Sequence, residues 1–114
     1  MNFSEIYLKA AGVIRANGHY KGAYYGVGES GVGIILTAAE SPVCTAGALS
    51  IAISGQPVPT SDDFDEVAED FARRTHLAFD PAWPTIAIGD WNDAPERTPA
   101  DVIAALEQAA REVA

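Results

Sequence analysis

Across 114 residues the chain has one cysteine, one methionine, and 7 Lys+Arg against 16 Asp+Glu. A single cysteine closes no internal disulfide, so the fold rests on packing, as expected of a protein kept in a reducing cytoplasm. The shortage of basic residues leaves a net charge of -9 at pH 7 and a pI near 4.4. Nucleic acid and anionic membrane would be repelled and are excluded as direct partners, whereas a basic protein surface or a cationic small molecule fits. Long apolar runs are also lacking. The most apolar stretch, Gly31 to Ile53, is broken by Glu40 and Pro42, and an N-terminal leader core would have to contain Glu5, Lys9 and Arg15. No internal repeat or dividing linker occurs, and no Gly-Lys-Ser/Thr phosphate loop. What is present, 48% hydrophobic and 20% charged residues, suits one compact domain over residues 1–114.

The apolar spacing predicts four helices. Phe3, Ile6, Tyr7, Ala10 and Ile14 recur at helical intervals, giving a helix from about Ser4 to Asn17 that stops at Asn17-Gly18. The Gly- and Tyr-rich stretch His19 to Gly33 reads as an irregular hairpin or wrapped loop, and Val32 to Thr37 as a short buried strand. Ser41-Pro42 predicts the start of a second, central helix running to about Ile53. Small residues on one of its faces (Cys44, Gly47 and Ala48) would admit close neighbours. Thr60 and Asp63 resemble a capping box for a third helix, with Phe64, Val67, Ala68 and Phe71 as its buried stripe. Its acids come first and Arg73-Arg74 last, which complements the helix dipole. Thr85 to Ile88 is read as a second strand pairing with Val32 to Thr37. Thr98, Pro99 and Asp101 open a C-terminal helix whose inner face is Val102, Ile103, Leu106, Ala109, Ala110 and Val113. The expected fold is therefore α+β and mainly helical: four helices around a minor two-stranded β element.

Candidate chemistry is sparse. Cys44, near a helix start, precedes His76 and then Asp90 or Asn92, the chain order of a thiol nucleophile, its base and an orienting group. Against this stands an inert cysteine packed as a small hydrophobe. The cluster Asp90-Trp91-Asn92-Asp93 fails as a calcium loop, because Ala94 occupies the next alternate position and the glycine and distal Glu are missing. It reads better as a brace, with Trp91 as core anchor, an Asx-turn before Pro95, and Arg97 paired with an acid. Gly26-Val27-Gly28 follows no convincing strand and opens no helix, so nucleotide binding is rejected and no metal or cofactor is expected.

Trp91-Asn92-Asp93, Arg97-Thr98 and Asp101-Val102-Ile103 before an alanine-rich helix end carry a resemblance. So do Asn17-Gly18 after the first helix and Cys44 followed by Gly47-Ala48-Leu49. The chain resembles a family of small actinobacterial and actinophage proteins designated only as a domain of unknown function. It departs from that family in having Tyr20 where a tryptophan is expected. The resemblance implies a bacterial or phage cytoplasmic protein and no particular activity. The favoured expectation is a small acidic binding or regulatory protein acting by protein–protein contact. Tyr20, Tyr24 and Tyr25, with Asp62, Asp65, Glu66 and Glu69, would form the contact surface toward a basic partner, and a homodimer is left open. The alternative is a small thiol-dependent hydrolase or transferase with Cys44 as nucleophile, His76 as base and Asp90 or Asn92 as orienter.

Overall fold

The computed structural model describes residues 2–26 and 37–113. Among them five α-helices follow one another: α1 (Phe3–Asn17), α2 (Thr45–Ser54), α3 (Asp62–Arg74), α4 (Pro84–Asp93) and α5 (Pro99–Val113), with a 3-10 turn, Ala38–Glu40, before α2. The expected α+β class is thus corrected to all-helical, and four helices to five: no strand occurs among the described residues. The segment Thr85 to Ile88, expected as a strand, lies inside α4. The physical reason is Pro84, which sits at the first helical position, where its fixed φ suits the helix and its missing N–H leaves no gap. Val32 to Leu36 of the other expected strand lie outside the described residues, as do Val27 to Gly31 of the Gly-rich stretch. Thr37 caps the 3-10 turn. In place of a sheet, Val43 forms two isolated bridges, parallel to His19 and antiparallel to Tyr25.

Local chemistry explains the helix ends. Asn2 caps α1 by accepting the Glu5 N–H at 3.1 Å, and Gly18 ends it at φ 97° with its N–H on Ile14 O. The Asn17 amide then donates to Ala39 O and Ser41 O, fastening this end to the segment before α2. α2 begins later than Ser41-Pro42 suggests. Pro42, Val43 and Cys44 commit their backbone groups to tertiary pairs with Gly26, Gly18, Tyr20 and Tyr24, so the helix starts at Thr45 with Cys44 as N-cap. In α3 the N-cap is Ser61, one residue after the expected Thr60, and it makes no side-chain cap bond. The start of α5 is as its sequence reads: the Thr98 N–H donates to Asp101 Oδ2 and the Asp101 N–H to Thr98 Oγ1, a reciprocal capping box with Pro99 next in line.

One hydrophobic core draws on all five helices. α1 packs most heavily on α5 and α2, while α3 lies against α4, α2 and α5. α2 is the central helix, with every residue from Thr45 to Ile51 buried. Small side chains make this possible. At Gly47 a Cβ would collide with the Tyr24 carbonyl oxygen, so the backbone of the 19–26 segment rests directly on the first turn of α2. An aromatic chain crosses the core: Tyr7 meets Phe71 at 5.8 Å between ring centroids, and Phe71 meets Trp91 edge-on at 6.0 Å. The Tyr7 hydroxyl donates to Asp70, which also holds Arg74 at 2.8 Å. Burial and the neighbouring Asp70 carboxylate push the Tyr7 phenol far above its ordinary range. Among the described residues no helix is long and apolar enough to cross a membrane.

Candidate functional site

The helices leave a cleft of about 520 Å³ beside the first turn of α2. Cys44 and Ala46 line it, together with Gly22, Ala23 and Tyr24. Asp65 of α3 also lines it. α4 contributes Thr85, Gly89 and Asp93, spaced four apart and hence on one helical face, with Trp83 and Ile86 at the rim. Trp83 is 64% and Ile86 61% exposed, unusual for such large apolar side chains. No lysine, arginine or histidine lines the cleft among the described residues.

Next to the cleft-lining face of α4, about 100° around the helix, is Asn92, fully buried in register with Pro84 and Ile88. Its Oδ1 accepts the Thr45 N–H at 2.8 Å and the Thr45 hydroxyl at 2.7 Å, and His19 Nε2 lies 2.7 Å away. Its Nδ2 donates to Tyr20 O at 3.0 Å and Asp93 Oδ1 at 2.9 Å. The network sets the amide orientation, because the Thr45 N–H can only donate and the Tyr20 carbonyl can only accept. It follows that His19 Nε2 carries a proton toward Oδ1. Asn92 therefore satisfies one of the free N-terminal amides of α2 and ties α4 to the segment after α1. Asp93 extends the tie by accepting the Gly22 N–H at 3.0 Å. Arg97 makes no ion pair among the described residues. Its guanidinium lies over the Trp91 ring, 4.4 Å from the centroid, and its Nε donates to Trp91 O.

The thiol-enzyme residues are not assembled. Cys44 is 7% exposed, and its Sγ accepts the Gly47 N–H at 3.2 Å as the N-cap of α2. Burial raises the thiol above its ordinary range, outweighing the backbone N–H groups that favour thiolate. No histidine ring hydrogen-bonds the sulfur among the described residues. His76 is exposed just past α3 at φ 58°, where its N–H donates to Arg73 O and the Leu77 N–H to Ala72 O. That is the left-handed position of a Schellman motif, so a backbone role accounts for it. Asp90 is exposed on α4 and does not line the cleft, while Asn92 is committed to Thr45, His19 and Tyr20.

Of the expected contact surface, Asp65 and Tyr24 come together in the cleft. Asp62 and Glu66 are exposed elsewhere on α3, and Glu69 pairs with Arg73 at 2.6 Å. Tyr24 is half-buried, its phenol raised by burial and then by Cys44 and Asp65. Tyr20 is exposed, and Tyr25 is half-buried beside Val43. Sequence reasoning overlooked Trp83, Ile86 and Asp93 as cleft residues, together with His19 and Thr45 as partners of Asn92. The missed signal was the spacing of Pro84, Ile88 and Asn92, which reads as a helix once Pro84 is taken as its first residue.

No curated protein and no solved structure matches the chain. The model of one family does match it, over residues 1–112. The chain belongs to that family, the family of unknown function DUF6197.

Proposed function

We propose that this protein is a small binding or regulatory module of the bacterial or phage cytoplasm, acting by contact with a basic surface on a protein partner. The cellular setting rests on the resemblance of the Trp91-Asn92-Asp93 and Arg97-Thr98 region alone. One observation carries the binding reading. The acidic helix α3 and the tyrosine-bearing segment, remote in sequence, meet at one cleft through Asp65 and Tyr24, and its exposed rim is apolar. Large apolar side chains exposed together beside carboxylates suit a contact surface, and an excess of negative charge selects a positive partner and speeds encounter.

The test is a ¹H–¹⁵N NMR titration of the whole chain with a basic octapeptide, acetyl-(Gly-Arg-Leu-Lys)₂-amide, and with its counterpart bearing Glu in place of Arg and Lys. The basic peptide is expected to shift signals of residues 22–24, Asp65 and 83–93, less so at high salt. No shift at millimolar peptide, or equal shifts with both peptides, overturns the reading.

A further inference from the structure

We propose that the cleft seats an arginine side chain of the partner, its guanidinium stacked on Trp83 and directed toward the carboxylates of Asp65 and Asp93, with a neighbouring apolar residue against Ile86. This arginine seat rests on the binding reading and gives it a specific chemistry. Three features point there. Trp83, 64% exposed, lines a cleft whose lining also includes Asp65 and Asp93 and, among the described residues, no cation. Asp65 forms no ion pair among the described residues, and Asp93 is engaged through Oδ1 alone, by the Gly22 N–H and the Asn92 amide. The neighbouring Lys21 ammonium is occupied by the Ala94 and Pro95 carbonyls.

A flat aromatic surface beside carboxylates discriminates between the two basic side chains. Guanidinium is planar, weakly hydrated and forked, so it stacks on an indole while it donates to carboxylate. An ammonium keeps its water and has no plane to stack. The chain itself displays the stacking where Arg97 lies over Trp91, its Nε donating to a backbone carbonyl. The α2 N-terminus beside the cleft carries partial positive charge, but its N–H groups are turned to Cys44 Sγ and Asn92 Oδ1. Two lining aspartates outweigh a half-charge so capped. At about 520 Å³ the cleft has room for an arginine and one flanking apolar side chain.

The experiment measures binding of three peptides, acetyl-Gly-Xaa-Leu-Gly-amide with Xaa arginine, lysine or citrulline, to the full chain by NMR. The Trp83 indole signal is identified by Trp83→Leu. The arginine peptide is expected to bind about tenfold more tightly than either other peptide, a difference of stacking and charge together. Trp83→Leu, at an exposed position, should abolish the preference for arginine over lysine. Asp65→Asn should weaken arginine binding about fivefold, while Asp90→Asn, an equal charge change outside the cleft, should leave it within twofold. Equal binding of the arginine and lysine peptides, or a preference surviving Trp83→Leu, overturns the arginine seat while leaving a basic partner in place. No binding by either basic tetrapeptide or the octapeptide overturns both.

Discussion

Asn92→Ala is the substitution with the largest consequence that the structure allows to be worked out. Truncation removes both ends of the amide at once. The Thr45 N–H and hydroxyl, in a residue with no solvent exposure, lose their shared acceptor, while Tyr20 O and His19 lie near enough to the surface to recover water. Each buried group left unsatisfied costs about 1–3 kcal/mol, and the small void adds to it, so a loss of about 3–5 kcal/mol is expected. That is a large share of a total stability of about 5–15 kcal/mol, and for a chain this long it lowers Tm by about 12–20 °C. Urea and thermal unfolding followed by far-UV circular dichroism measure it, with Asp90→Ala, an exposed change on the same helix, expected within about 0.5 kcal/mol of wild type. Asn92→Asp separates the two ends of the amide. It keeps the acceptor for Thr45 but sets a carboxylate beside Asp93 and the Tyr20 carbonyl. The same Oδ1 still takes the Thr45 N–H, the Thr45 hydroxyl and His19, so in the same melts this variant separates loss of the donor end from loss of the acceptor end. An Asn92→Ala loss below about 1 kcal/mol would refute the staple.

Three further outcomes are expected. Gly47→Ala should destabilise by about 2–3 kcal/mol, because its Cβ meets the Tyr24 carbonyl, whereas Gly12→Ala, facing open space in α1, should stabilise by about 0.5–1 kcal/mol; paired urea melts compare them. Burial raises the Cys44 thiol, so the native state holds that proton more tightly than the unfolded chain does. Stability should therefore fall as pH rises through and above the ordinary thiol range of about 8.5. In Cys44→Ser the thiol part of this loss should vanish in pH-dependent melts, and in wild type iodoacetamide should label the cysteine only on unfolding. His76→Gly should stabilise by about 0.5–1 kcal/mol in thermal melts, since glycine takes the left-handed conformation without a Cβ penalty.

The surface of the site was only partly legible in the sequence. Asp65 and Tyr24 were expected as contact residues from charge and composition, and the fold brings both to the lining of one cleft. Trp83 and Ile86 were hidden because Thr85 to Ile88 is short, apolar and partly β-branched, a pattern strands and buried helices share. The order Cys44, His76, Asp90/Asn92 suggested a reactive group that the fold does not assemble, since chain order carries no distances.

Some features were determined by the sequence alone, because their physics is local. Asn17-Gly18 ends α1, acids precede bases along α3, and Thr98, Pro99 and Asp101 cap α5, each through groups within one helical turn. Net charge and the absence of a second cysteine likewise needed no coordinates. Tertiary structure decided everything that depends on partners distant in the chain. It started α2 at Thr45, because the backbone of Val43 and Cys44 is engaged by residues 18–25, and it made Asn92 a buried staple between α4, α2 and the segment after α1. It also gathered Tyr24, Cys44, Asp65 and Trp83 around one cleft, an encounter that no spacing rule encodes because it depends on how the helices pack.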